Sequence, residues 1–153
     1  MNFLFNKHIT YNTFESIDIV RAKLEEIINR KWNNFHNNLR GYQKEDGSFV
    51  LTQKWAIANF SPPIWGDAYV MVKLEKGENE TILKTVYKPN ISLLLLFYSS
   101  IVWLSYELIT INLSGTSDIK IFMLLLFASI IFAYIKIPTF ALRRSFERFL
   151  GLL

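Results

Sequence analysis

The sequence predicts an α+β membrane protein: one helix on a small antiparallel sheet, then a two-helix transmembrane hairpin and an amphipathic C-terminal helix. Three observations predict it. Two long apolar runs, residues 91–111 and 119–137, are separated by a short polar break. As helices each would be about 28–31 Å long, close to the ~30 Å hydrocarbon core of a bilayer. Neither run shows the polar stripe of a surface helix on a soluble domain. The second observation is a helical stripe followed by short alternating stretches in the first 90 residues. The third is a short basic segment after the second run. The expected division is residues 1–88 as a cytoplasmic α+β domain, 89–138 as the hairpin and 139–153 as an interfacial tail.

Each element has its own signal. Residues 1–9 alternate weakly, with Phe3 and Phe5 on one side, and read as a first strand. Thr13 or Ser16 offers an N-cap. Ile17, Val20, Leu24, Ile27 and Ile28 then share a helical stripe, with Arg21, Lys23, Glu25 and Glu26 off it. Residues 35–43 read as a strand and Asp46-Gly47 as a turn. Residues 48–55 alternate. Residues 57–65 are irregular around Pro62 and Pro63, which do not fit a central strand. Ala68, Val70, Val72 and Leu74 mark one face of a strand over residues 66–75. A second turn at residues 76–79 leads to a last strand over 80–87. Pro89 and Asn90 join the sheet to the first span, and Pro138 kinks or ends the second. Beyond it, Leu142, Phe146, Phe149, Leu150 and Leu153 fall on one helical face, with Arg143, Arg144, Glu147 and Arg148 on the other. That profile suits a helix lying in the membrane interface, with Phe146 and Phe149 toward lipid and Arg143, Arg144 and Arg148 toward anionic headgroups.

Charge and composition narrow the function. The chain carries a formal net charge of +4, but its charges are interspersed, so it does not read as a nucleic-acid binder. There is no cysteine, which removes disulfides, thiol nucleophiles and Cys-based zinc patterns from this sequence. No secretory signal is read at the N-terminus, because Asn6, Lys7 and His8 interrupt its few apolar residues. Lys84 and Lys88 precede the first span, and Lys136, Arg143, Arg144 and Arg148 follow or close the second. The break between spans has no Lys or Arg, so both termini are expected in the cytoplasm.

Gly41, Phe49 and Phe60-Ser61-Pro62-Pro63-Ile64-Trp65-Gly66 carry a resemblance. The last segment is similar to the Phe-x-Pro-x-Ile-Tyr-Gly segment of a family of small bacterial inner-membrane proteins with no assigned activity. Trp65 stands where tyrosine is usual in that family. The resemblance implies a short helix before a set of strands and a hydrophobic hairpin after a proline, as at Pro89. It implies location in the bacterial inner membrane and nothing about mechanism.

Candidate sites are few. Phe60, Pro62, Ile64 and Trp65 form a proline-bounded aromatic segment, read either as a groove for a lipid chain or partner peptide or as core filling, the commoner use of large aromatics. His8 and His36 are the only imidazoles, and two isolated histidines make a poor metal site. Glu107 lies in the first run, about 24 Å along it from Ile91, where outer headgroups and water are within reach. Ser129 and Ala133, or Ser99 and Ser100, are small residues where helices can approach. No phosphate loop, nucleophile elbow or His-Glu-x-x-His pattern is present in the sequence. The expectation is a non-enzymatic scaffold, sensor or partner-binding protein of the inner membrane, with no cofactor. Its partners would be the lipid bilayer and a protein or a second copy, not nucleic acid. The alternative is an effector or immunity-type protein whose hairpin oligomerises in the bilayer. A lipid-acting enzyme built around His8, His36 or Asp67 ranks last.

Overall fold

A computed structural model describes residues 5–29, 38–53, 68–114 and 118–152. The chain is α+β, with a five-stranded antiparallel sheet and three helices, two of them long and apolar. The strands are β1 (Lys7–Thr13), β2 (Leu39–Gln43), β3 (Phe49–Gln53), β4 (Ala68–Lys76) and β5 (Thr81–Pro89). The helices are α1 (Ile17–Asn29), α2 (Ile91–Ser114) and α3 (Asp118–Leu150). Sheet order is β1-β5-β4-β3-β2, so α1 carries the chain from one edge to the other and a meander brings it back.

Local chemistry accounts for the joints. Ser16 caps α1: its hydroxyl accepts from the Ile19 N–H, and its carbonyl takes the Val20 N–H. At the β2–β3 turn, Asp46 accepts both the N–H and the hydroxyl of Ser48, and Gly47 adopts a φ of +76° that an L side chain resists. Gly41 answers a different demand. A Cβ there would run into the Val50 carbonyl oxygen, so β2 and β3 pack at a distance only glycine allows. Asn90 caps α2 by accepting the Ser92 N–H at 2.7 Å. α3 ends with Gly151 at φ +66° and a bond from the Leu152 N–H to the Glu147 carbonyl, a glycine-based stop.

The alternation of the strands sends one face inward. Leu39, Phe49, Leu51, Val70, Val72, Leu83 and Tyr87 meet Val20, Leu24 and Ile27 of α1. Thr52 and Thr85 are buried too, and each donates its hydroxyl to a carbonyl across the sheet, of Ala68 and of Ile9.

Three expectations change here. The first strand is Lys7–Thr13 rather than residues 1–9. Ile9 and Tyr11 are the residues that alternate onto the core face, whereas Phe5 turns away to pack against the hairpin. Two helices, not one, cover the sheet. The tail is no separate interfacial helix: α3 runs without interruption through Pro138, and Leu142, Phe146 and Leu150 are buried in the sheet core. Periodicity identified the apolar stripe, but a stripe does not say whether lipid or protein covers it, and the sheet beside α1 offers an apolar face close at hand. Phe149 is half-buried at the edge of that core, while Arg144 and Arg148 remain exposed.

The α2–α3 hairpin has a narrow seam. Leu94 packs with Ile131 and Ile135 in the buried strip and Ser100 is buried as well, whereas Ser129 is exposed and bonds the Leu125 carbonyl. Large apolar side chains such as Val102, Ile109, Phe122 and Met123 are exposed along the rest of the shaft.

Replacing Phe146 with alanine is expected to cost about 3–5 kcal/mol, the range for a large aromatic lost from a packed core. Arg144→Ala is expected to stay within about 0.5 kcal/mol. Denaturation of the detergent-solubilised full chain checks the contrast; equal, small losses would mean that Phe146 is not packed on the sheet.

Candidate functional site

The junction between sheet and hairpin gathers the polar groups that the core would otherwise exclude. Glu147 is buried on α3, facing β1 and β5. Tyr11 donates its hydroxyl to Glu147 Oε1 at 2.6 Å, and Arg143 Nε donates to the same oxygen at 2.6 Å. The hydroxyls of Tyr11 and Tyr87 are 3.1 Å apart. Tyr11 has a single proton, spent on Glu147, so Tyr87 is the donor in that pair. The result is a relay from Tyr87 to Tyr11 to Glu147, closed by Arg143.

Electrostatics follow from this geometry. Burial alone would raise the Glu147 carboxyl, but the bonds from Tyr11 and Arg143, with Lys7 nearby, outweigh it and hold the group below the ordinary glutamate range. Burial pushes the Tyr87 phenol far upward, and the Tyr11 phenol rises for the same reason with Glu147 adding to it. Both tyrosines therefore stay neutral at physiological pH and serve as donors.

Beside this relay lies a cavity of about 280 Å³. Its polar wall is Lys7, Tyr87, Lys136, Thr139 and Arg143, and its apolar wall is Phe5, Ile135 and Phe140. Lys136, Thr139 and Arg143 reach it because they repeat at helical spacing along α3, with Glu147 one turn further on. Lys136 Nζ sits 5.2 Å from the Phe5 ring centre and 5.6 Å from that of Phe132. Phe5 is itself wedged into the hairpin base, edge-on to Phe97, Tyr98 and Phe132. A second concavity of about 350 Å³ lies on the opposite face of the sheet, over Tyr42, Val50, Tyr69 and Met71, with Lys44 and Lys88 at its rim.

The sequence-predicted residues divide. Phe60, Pro62, Ile64, Trp65 and His36 lie outside the described residues. His8 is exposed on β1, and among the described residues no group of three or more His, Cys, Asp or Glu side chains is placed to hold a metal. Glu107 accepts from the Trp103 indole N–H at 3.2 Å, one helical turn away. Of the three arginines expected at a membrane surface, only Arg143 joins the site, and it is held by Glu147 rather than free. Phe5, Lys7, Tyr11, Tyr87 and Lys136 were not singled out as a group. The signal that could have found them is the Lys136, Thr139, Arg143, Glu147 stripe, which continues past a proline that reads as a stop.

No protein-family model, curated protein or solved structure matches the chain. None of these comparisons identifies a family, and half of the segment that carries the resemblance noted above, residues 54–66, lies outside the described residues.

Because the Glu147 carboxyl is held below its ordinary value of 4.5, the folded state resists protonation that the unfolded chain accepts. Its contribution is complete above that value and is lost as pH falls through the depressed one. Thermal unfolding measured from neutral to acid pH should therefore drop more steeply for the parent than for Glu147→Gln. Tyr11→Phe, which strands the Tyr87 hydroxyl and one lobe of Glu147, should cost about 1–3 kcal/mol at neutral pH. Parallel pH profiles for parent and Glu147→Gln would contradict the relay.

Proposed function

We propose that this is an integral membrane protein without enzymatic activity, whose α2–α3 hairpin spans the bilayer and holds the sheet domain at the cytoplasmic surface as a scaffold or partner-binding module. The observation that carries it is the uncovered shaft: in each apolar window of the two long helices only 11% is buried. A contiguous apolar surface of that extent calls for lipid or for a partner chain. Lipid is favoured because the exposed residues surround both helices, where a protein interface would occupy one side.

The charge distribution supports the orientation. Lys7, Lys88, Lys136, Arg143, Arg144 and Arg148 belong to the sheet end of the hairpin, while residues 112–117 contain no Lys or Arg and Lys120 is the one cation at the turn end of α3. Helix α3 is 33 residues long, about 50 Å, which exceeds a bilayer core by some 20 Å. The surplus is the segment packed on the sheet, so the anchor and the domain share one helix with no linker between them. The concavity over Tyr42, Val50, Tyr69 and Met71 supplies aromatic surface of the kind enriched at protein interfaces. A bacterial inner membrane is the setting that the resemblance in residues 41–66 implies.

Expressed in bacteria, the full chain should remain in the membrane pellet after alkaline carbonate and be released by detergent. A reporter that works only in the cytoplasm should be active when fused after Leu153. Release by carbonate would remove the membrane reading; a periplasmic signal from the fusion would reverse the orientation.

A further inference from the structure

We infer that the cavity between Lys7, Lys136 and Arg143 is a binding site for the phosphate of an anionic phospholipid headgroup. The inference rests on the membrane-spanning reading and adds a ligand to it. Position comes first. Lys136 lies about 27 Å along α3 from Asp118, one hydrocarbon thickness from the hairpin turn, which puts the cavity mouth at headgroup depth.

Charge selects the ligand. Lys7 and Lys136 form no ion pair among the described residues, and the negative group beside them, Glu147, is engaged by Arg143 and Tyr11. The wall thus presents a surplus of positive charge with the hydroxyls of Tyr87 and Thr139 beside it. Thr139 donates its proton to the Ile135 carbonyl at 2.8 Å, so it is not counted as a donor to the ligand. The donors are the two ammonium groups and the remaining guanidinium N–H groups of Arg143, which suit phosphate oxygens.

Shape then separates a lipid from a free anion. The cavity, about 280 Å³, is at the small end of ligand sites, roughly 300–1,000 Å³, and takes a headgroup but not acyl chains. Its apolar side is Phe5, Ile135 and Phe140, and on the hairpin side Phe132, which touches both Phe5 and Lys136, and Ile130 are exposed on α3, an apolar flank along which chains can run. A free phosphate would leave that wall unused.

The test uses the full-length protein in a neutral detergent and native mass spectrometry with phosphatidylglycerol or phosphatidylcholine added singly. Phosphatidylglycerol should be retained preferentially. Lys7→Gln with Lys136→Gln should weaken its retention by roughly thirtyfold, taking each lysine as about a fivefold factor at an anionic lipid surface. Arg144→Gln with Arg148→Gln should leave retention within about twofold, being exposed charges away from the cavity. Lys136→Arg should keep most of it. Both lysines are exposed, and an unchanged unfolding temperature for the double variant is the folding control. Equal retention of the two lipids, or equal losses from the lysine and arginine pairs, would overturn the site. Displacement of phosphatidylglycerol by equimolar inorganic phosphate would also overturn it in favour of a soluble anion. Failure here, with the protein still resistant to carbonate, would remove the headgroup site and leave the membrane reading standing.

Discussion

Burial of Leu142, Phe146 and Leu150 against the open half of the sheet is the interaction on which the rest of the structure depends. Helix α1 packs mainly toward β2 and β4, which leaves the β4–β5 side of the inner face to be covered by something else. The end of α3 covers it. Fully burying each of these side chains contributes about 1.5–3 kcal/mol at most, whereas a proline inside a helix costs about 3 kcal/mol. The three together therefore exceed the penalty at Pro138, and the helix continues through it. Phe5 reinforces the same joint from the other chain end, by filling the hairpin base beside Ile131 and Ile135.

That continuity has an electrostatic consequence. Carrying α3 into the sheet buries Glu147, and a buried carboxylate is costly unless its oxygens are bonded. Tyr11 from β1 and Arg143 from the preceding turn of α3 meet the need, and Tyr87 from β5 completes the chain. The relay fixes the angular position of α3 on the sheet, because rotation of the helix by one residue would carry Glu147 out of reach of Tyr11. It also orients the cationic wall of the adjoining cavity. Stability, helix register and the character of the cavity are thus three outcomes of one packing choice.

Much of the fold was legible in the sequence for elementary reasons. The α1 stripe, the alternation of Ala68, Val70, Val72 and Leu74, and the Asp46-Gly47 turn are local signals, and each appears where its chemistry puts it. The edge strand β1 was displaced because its alternation is weak and its partner, β5, is distant in sequence. The fate of the C-terminal stripe was not legible, since lipid and a sheet face exert the same pull on Phe146. The candidate site was harder still. Tyr11, Tyr87 and Glu147 lie up to 136 residues apart, and nothing local to any of them announces a partner. Only the spacing of Lys136, Thr139, Arg143 and Glu147 was available beforehand, and Pro138 obscured it.

The absence of cysteine permits a direct measurement of the joint between hairpin and sheet. Spin labels on Ile130→Cys and Arg148→Cys, both exposed positions on α3, are separated by 18 residues, or about 27 Å along an unbroken helix. Pulsed dipolar spectroscopy on the full chain in lipid nanodiscs should return a single narrow distribution near that distance, widened only by the labels themselves. A short or broad distribution would place a hinge at Pro138 and separate the hairpin from the sheet, contradicting a helix that runs unbroken from one to the other.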